Sequence, residues 1–147
     1  MKKGKIIILL LVLSLTYLVY WQLFKQPKLV EGNYIELKNT FAIHSGDVWE
    51  VKFAPNDTLM ISGGIDQDTK IWNRITGEVV HILPHETGSP SVDFNPNGKL
   101  VATGAYDGKV RVWDVNSGKL LKTLDGNEGT IWSVNFSPNG ALIAAGS

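Results

Sequence analysis

The sequence predicts an all-β fold of repeated four-stranded units, two complete and a third partial, preceded by one N-terminal transmembrane helix. Two observations predict this fold class. Residues 6–24 contain no charged side chain, and the chain beyond residue 34 repeats itself at a spacing of 41 or 42 residues. The formal net charge of the 147 residues is zero, but residues 1–24 carry +3 and residues 25–147 carry −3. The two parts therefore differ in physical character.

Composition narrows the function classes. The chain contains no cysteine, which excludes disulfides, thiolate metal sites and a cysteine nucleophile. Charged residues make up 19% of the chain and hydrophobic residues 44%, which is typical of a folded protein and not of a disordered one. A net charge of zero gives no indication of a nucleic-acid partner.

Residues 1–5 are predicted to form a basic tail, and residues 6–24 a signal-anchor helix that crosses a membrane. The uncharged run has 19 residues. A bilayer core about 30 Å thick takes about 20 apolar residues as a helix. Lysines precede the run and favour a cytoplasmic N-terminus, so a single-pass membrane protein with extracytoplasmic repeats is expected. Aromatic residues typical of a membrane interface lie towards the far end: Tyr17, Tyr20, Trp21 and Phe24.

A cleaved signal peptide is the alternative interpretation of this segment, because a basic start and a short apolar run are common to both. Cleavage requires small residues at alternate positions, and the best candidate, residues 14–16, has the sequence Ser-Leu-Thr. The repeats would then be secreted. A buried core helix is a third interpretation. Residues 25–33, which contain Pro27 and Gly32, are predicted to be a linker.

The repeat is visible at many positions that share one spacing. Self-similarity at a fixed period is typical of repeat architectures, so it takes precedence over other features. A third copy begins with Phe136 and Pro138, 42 residues beyond their counterparts in the second copy. The pairs that lie 41 residues apart are His44 and His85, Phe53 and Phe94, Pro55 and Pro96, Asp66 and Asp107, and Trp72 and Trp113.

Each copy contains short runs of β-branched and aromatic residues separated by Gly, Pro, Asn or Asp, which predicts strands joined by turns. Proline followed by Asn-Gly suits a tight turn, because proline presets φ and glycine tolerates positive φ. The predicted strands are 48–53, 59–64, 69–73 and 79–83 in the first copy, 91–94, 100–105, 109–114 and 120–124 in the second, and 142–146 in the third.

These repeats resemble the WD40 repeats of a β-propeller. The match is closest in residues 94–100, Phe-Asn-Pro-Asn-Gly-Lys-Leu, and 104–114, Gly-Ala-Tyr-Asp-Gly-Lys-Val-Arg-Val-Trp-Asp. The resemblance implies that each copy is one blade of the propeller. The repeat region 34–147 is divided into a closing strand at 34–41, repeats at 44–84 and 85–126, and a partial repeat at 127–147.

The resemblance also implies a buried hydrogen-bond relay in each repeat, in which Trp donates to Ser or Thr, the hydroxyl contacts His, and Asp accepts from the imidazole. A catalytic Ser-His-Asp triad is the alternative for the same residues, and it is disfavoured because a catalytic group in every blade would be unusual. The chain is therefore predicted not to be an enzyme. The relay residues are His44, Ser62, Asp66 and Trp72 in the first copy, and His85, Thr103, Asp107 and Trp113 in the second.

Departures from the repeat pattern indicate where the units are irregular. Pro90 stands where the other copies have tryptophan, and the missing N–H predicts an irregular start of the following strand. Asn73 replaces the Asp of the Trp-Asp pair, and the third copy has Asn127 and Ala145 in place of the His and the Ser or Thr. No cofactor, metal or small-molecule substrate is indicated.

The resemblance places partner binding on the top face of the propeller, around its central channel. Aromatic side chains dominate interface energetics, which favours Tyr106 as a contact. Packing between blades is the alternative for Trp49 and Trp132. The candidate partner-binding residues are Asp47, Trp49, Ile65, Gly88, Pro90, Tyr106, Thr130 and Trp132.

The function predicted from these features is a membrane-anchored, non-enzymatic scaffold that binds a protein or peptide. The alternative is a partner- or substrate-binding domain of a larger enzyme or sensor whose active part follows Ser147. A truncated product without a stable fold is a third interpretation. Because propellers have about four to eight blades, two and a half repeats predict that the sequence is a fragment.

Overall fold

The computed structural model describes residues 39–147. The predicted basic tail, membrane helix, linker and most of the predicted strand 34–41 lie outside the described residues. Among residues 39–147, no helix is long and apolar enough to cross a membrane. All regular elements of this part of the chain are β-strands, which confirms the predicted all-β class for the repeat region.

Ten strands follow one another along the described chain. Nine predicted strands begin and end within one residue of the observed bounds, whereas residues 39–41, the described part of the predicted strand 34–41, are not in a strand. The strands are β1 (Val48–Phe53), β2 (Leu59–Gly64), β3 (Asp68–Asn73), β4 (Val79–Pro84), β5 (Ser91–Phe94), β6 (Leu100–Gly104), β7 (Val110–Asp114), β8 (Leu120–Leu124), β9 (Ser133–Phe136) and β10 (Ile143–Gly146).

The strands form three antiparallel sheets, one for each copy of the repeat. Sheet 1 has the order β1-β2-β3-β4, sheet 2 the order β5-β6-β7-β8, and sheet 3 contains β9 and β10. Within each sheet, strands that follow one another in sequence are neighbours, because tight turns join them. In the turn after the first strand of each sheet, one position has a positive φ: 55° at Asp57, 70° at Gly98 and 71° at Gly140. Asp is one of the few residues other than Gly that tolerate this conformation.

Apolar side chains between neighbouring sheets form two separate cores. The first core lies between sheets 1 and 2, and the second between sheets 2 and 3. Alternation along each strand places these side chains on the faces that meet. The first core contains Ala54, Ile61, Ile71, Leu83, Val92, Phe94, Val101, Trp113 and Val115, and the second Ala102, Val110, Ile131 and Val134.

Hydrogen bonds from side chain to backbone also join neighbouring sheets. The first strand of sheets 2 and 3 lies at a sheet edge, so some of its N–H groups have no partner within its own sheet. Side-chain oxygens of the preceding sheet accept them: Val92 N–H donates to Glu50 Oε2 at 2.8 Å, Val134 N–H to Ser91 Oγ at 2.7 Å, and Phe136 N–H to Asp93 Oδ2 at 2.8 Å.

The irregularity predicted at Pro90 takes the form of a shorter strand. β5 begins at Ser91, directly after the proline, and has four residues where β1 has six. β1 is itself irregular, because its register with β2 shifts between Val48 and Glu50, at Trp49. The first strand of sheet 1 is therefore bent at the tryptophan that Pro90 replaces in sheet 2.

Candidate functional site

The first polar network links four side chains of sheet 1 and the segment before it. Trp72 Nε1–H donates to Ser62 Oγ at 3.1 Å. The Ser62 hydroxyl donates to His44 Nε2 at 2.7 Å, and His44 Nδ1–H donates to Asp66 Oδ1 at 2.8 Å. Each donor therefore has an acceptor, which assigns the imidazole proton to Nδ1. The structure brings the four relay residues predicted in the first copy into one chain of hydrogen bonds.

Asp66 is held as a carboxylate in this network. The side chains of His44 and Asp66 are almost fully buried. Burial raises the pKa of Asp66, but hydrogen bonds from His44, the Ser45 backbone N–H and Lys70 outweigh it and hold that pKa below its ordinary value. The network therefore fixes the turn between β2 and β3 through a charged acceptor.

Ser62 has the neighbours of a catalytic serine but not its accessibility. Only 1% of the residue is exposed, and its oxygen already accepts the Trp72 N–H. A nucleophile must be within reach of the reacting carbon atom, and no substrate can approach this hydroxyl. This geometry is that of a hydrogen-bonded residue that stabilises the fold, and it does not suit acyl transfer.

Two neighbours of this network were not predicted. Lys70 Nζ donates to the Ile43 carbonyl at 2.8 Å and to Asp66 Oδ2 at 3.2 Å. Phe41 packs edge-on against Trp72, with ring centroids 5.4 Å apart. The repeat carries a signal for the first of these contacts, because Lys70 and Arg111 are 41 residues apart and each lies four residues after an aspartate.

The second polar network differs from the prediction at His85. Trp113 Nε1–H donates to Thr103 Oγ1 at 2.9 Å, as in the first copy. Asp107, however, accepts from both terminal nitrogens of Arg111, with Nη2–Oδ2 at 2.6 Å and Nη1–Oδ1 at 3.3 Å. Among the described residues, no hydrogen bond joins His85 to Asp107 or to Thr103. Arg111 therefore has the place that the prediction gave to the imidazole.

His85 is buried beside this ion pair as a neutral side chain. Its ring packs edge-on against Trp113 with centroids 5.5 Å apart, and its Nδ1 lies 3.4 Å from Arg111 Nη1. Within residues 39–147, its Nε2 is buried without a hydrogen-bond partner. Burial, and after it the charge of Arg111, lower the pKa of His85 to about 4. Asp107 stays charged, since the hydrogen bonds from Arg111 and the Lys109 N–H outweigh its burial and lower its pKa.

The lowered pKa of His85 predicts a loss of stability in mild acid. The unfolded chain protonates this histidine near pH 6.5 and the folded chain only near pH 4. The contribution of neutral His85 to the free energy of unfolding is therefore fully present above pH 6.5. It decreases as the pH falls towards 4, by about 3 kcal/mol in total at about 1.4 kcal/mol per pH unit. Urea unfolding at a series of pH values measures this slope, and the His85→Gln variant should lose most of it. An equal slope in the variant would contradict this assignment.

The candidate partner-binding residues lie at one edge of the three sheets. At this edge β1, β5 and β9 begin, and β2 and β6 end. Asp47, Trp49, Ile65 and Trp132 are exposed, with 56% of Trp49 and 58% of Trp132 accessible, while Tyr106 and Thr130 are half-buried. The structure therefore leaves more than half of each tryptophan accessible.

Gly88 and Pro90 are buried, unlike the other six candidate partner-binding residues. The Tyr106 ring covers Gly88 so closely that a Cβ at this glycine would lie 2.6 Å from the ring carbon Cε2. Trp132 packs edge-on against Tyr106, with centroids 5.8 Å apart. Gly88 thus supports an aromatic pair that extends from sheet 2 to sheet 3.

No group of three or more His, Asp or Glu side chains in residues 39–147 is arranged to hold a metal ion. The candidate site consists of two buried polar networks, which stabilise turns, and an exposed edge with aromatic side chains. This edge offers apolar area and hydrogen-bonding groups to a macromolecular surface.

Comparison with known proteins gives one family and several partial relatives. The model of the WD domain, G-beta repeat, matches residues 35–73, 77–114 and 118–147. The first two matches end with β3 and β7, so each matched repeat after the first begins with the last strand of the preceding sheet.

The chain also resembles eukaryotic translation initiation factor 3 subunit I of several fungi. Identity is 33% over 58 residues for Neosartorya fischeri and 36% over 58 residues for Aspergillus terreus, in each case 40% of this chain and 17% of the relative. For Aspergillus fumigatus it is 35% over 52 residues, which is 35% of this chain and 15% of the relative. The chain thus covers less than a fifth of the length of these curated relatives.

Proposed function

Because the chain belongs to the WD40-repeat family, we propose that it is a scaffold that binds a protein or peptide partner at the edge carrying Tyr106 and Trp132. The observation that carries this proposal is the aromatic pair itself. Its rings are 5.8 Å apart and connect sheet 2 with sheet 3, and more than half of Trp132 is exposed. Trp49 and Ile65 add exposed apolar area at the same edge of sheet 1.

This edge presents aromatic area on residues whose backbone is held by hydrogen bonds. Tryptophan and tyrosine are enriched among the residues that dominate binding energy, because they bury a large area at little cost in conformational entropy. Tyr106 is held by its N–H bond to the Gly88 carbonyl at 3.0 Å, and Trp132 by its N–H bond to the Gly146 carbonyl at 2.9 Å. Both anchors are therefore positioned before a partner arrives.

The relatives support the proposal only in general terms. The fungal proteins that match part of this chain are named as subunits of a larger factor, which is consistent with a family that assembles with other proteins.

Partner binding can be tested by placing a photo-crosslinking amino acid at Ile65 and comparing variants in the native host. We expect an adduct with one partner, reduced about tenfold or more by Trp132→Ala, because loss of a central aromatic anchor costs about 2 kcal/mol or more. The matched control has the crosslinker at Ile75, which is exposed at the opposite end of the sheet. Equal labelling from Ile65 in the parent chain and in Trp132→Ala would contradict the proposal.

We further propose that residues 6–24 anchor the scaffold in a membrane with the repeats outside the cytoplasm. Support comes from the 19 uncharged residues and from the lysines that precede them. A reporter enzyme that is active only after export, fused after Ser147, should be active, and the purified chain should retain residues 1–24. Activity of a cytoplasm-only reporter at the same position would reverse the topology, and a shortened mature chain would indicate secretion instead.

A further inference from the structure

Sheet 3 has an outer face made of Ser133, Asn135, Ala144 and Gly146, which we name the sheet 3 face. Ser133 lies opposite Gly146, and Asn135 opposite Ala144, so the four residues share one side of the sheet. The repeat assigns equivalents of each residue to the other sheets. These equivalents are Glu50, Lys52, Ile61 and Gly63 in sheet 1, and Ser91, Asp93, Ala102 and Gly104 in sheet 2.

In sheets 1 and 2 this face is covered by the next sheet. Its oxygen atoms accept N–H groups from the first strand of that sheet, as Glu50 does for Val92 and Ser91 for Val134. Its glycine allows close approach. A Cβ at Gly63 would lie 2.4 Å from the Ser89 carbonyl oxygen, and one at Gly104 would lie 2.4 Å from Ile131 Cγ2.

The sheet 3 face has the same residue types as its equivalent in sheet 2, except that Asn135 replaces Asp93, but it is uncovered within the described residues. All four of its residues are exposed. A Cβ at Gly146 would meet nothing closer than Ser133 Cβ at 3.9 Å. Ser133 and Asn135 retain oxygen atoms at the positions where Ser91 and Asp93 accept N–H groups. The third unit therefore presents an acceptor surface of the kind that the chain fills twice.

Sheet 1 carries the complementary surface at the other end of the described chain. β1 is an edge strand, and its side chains Val51 and Phe53 are 45% and 62% exposed. These residues are equivalent to Val92 and Phe94 in sheet 2, and the third copy has Val134 and Phe136 at the same positions. All three strands thus share the pattern Val-x-Phe, and its second and third occurrences donate N–H groups to the preceding sheet.

We propose that the sheet 3 face binds sheet 1 of a second copy of this chain, with Val51 and Phe53 placed as Val134 and Phe136 are placed on sheet 2. The occupant is identified by fit. The face requires an edge strand with N–H groups two residues apart beside Val and Phe, and β1 supplies this pattern in the chain itself. The contact joins two different surfaces, so it is a head-to-tail contact that closes into a ring or extends as a chain.

The test is the mass of the full chain in neutral detergent over a range of concentrations. We expect association that increases with concentration in steps of 16.2 kDa. Gly146→Val should raise the dissociation constant at least tenfold, and at concentrations where the parent is monomeric it should leave the melting temperature unchanged, because this position is open in the single chain. Gly129→Val, at another glycine with no atom within 4 Å of its Cβ position, is the matched control and should associate normally.

The head-to-tail geometry gives a second measurement. Phe53→Lys alters only the donor surface, and because Phe53 is exposed the variant should still fold. A mixture of Gly146→Val and Phe53→Lys retains one intact interface, so it should form a one-to-one dimer and nothing larger. A chain that is monomeric at all concentrations would overturn the proposal, and so would association that both variants leave intact, since the contact would then lie elsewhere, for example in residues 6–24.

Discussion

Replacement of Asp107 with alanine is expected to lower the free energy of unfolding by about 3 kcal/mol or more, because it removes the counter-charge of a buried guanidinium. The Arg111 side chain is 9% exposed and donates to both oxygens of Asp107. Without the carboxylate, its charge would remain in a site that also contains the neutral His85. Chemical unfolding at pH 7 measures the change.

The control for this prediction is Asp125→Ala, which removes an exposed carboxylate 3.9 Å from Lys109. Exposed ion pairs contribute about 0–1 kcal/mol, so this variant should unfold almost as the parent does. A second pair of variants tests whether the loss comes from the unpaired Arg111 charge. In an Arg111→Met background the buried charge is absent, and Asp107→Ala should then cost much less. A loss of equal size in both backgrounds would show that Asp107 acts through some other contact.

Gly63→Ala is expected to destabilise the contact between sheets 1 and 2 by about 1–3 kcal/mol, the usual cost of overpacking a tight interface. The added Cβ would lie 2.4 Å from the Ser89 carbonyl oxygen, which is a backbone atom and cannot rotate away. One sheet must therefore move relative to the other. Thermal unfolding followed by tryptophan fluorescence measures the effect.

Gly129→Ala is the comparison for Gly63→Ala, because its Cβ position has no neighbour within 4 Å. Both substitutions add one methyl group and remove the same backbone freedom, so the difference between the two variants reports the close approach alone. If both variants unfold at the same temperature, the two sheets are not packed as tightly as described.

Nine of the ten observed strands could be predicted to within one residue because each is bounded by turn residues that recur at a fixed spacing. Proline and positive-φ residues stop a strand through local sterics, and these effects are written in the sequence near each turn. The strands of residues 39–147 could therefore be predicted from local sequence features.

The contacts of His85 could not be predicted in this way, because they depend on competition for one carboxylate. Lys70 donates from a single nitrogen, so Asp66 retains an oxygen for His44. Arg111 has a planar guanidinium that contacts both oxygens of Asp107, and within residues 39–147 no hydrogen bond joins that carboxylate to His85. A substitution that is conservative in charge thus changes the partner of a residue 26 positions away in sequence.

The burial of Gly88 and Pro90 was missed for a different reason. The resemblance assigns contact residues by position along the repeat, whereas exposure depends on which side chain lies above them. Tyr106 covers Gly88 in this chain. The sequence contained both residues but no local pattern that joins them.

The offset between the matched repeats and the sheets has an evolutionary consequence. Deletion of residues 77–114 would bring β8 directly after β3, and β8 could take the place of β4. The two pairings are alike, since Trp72 lies opposite Val79 and Trp113 opposite Leu120, each beside a shift in register. Recombination in frame at these boundaries would therefore replace the outermost strand of one sheet by that of another. Every remaining sheet would keep its number of strands. Genes of this kind can gain or lose units without passing through an intermediate that has an unpaired strand.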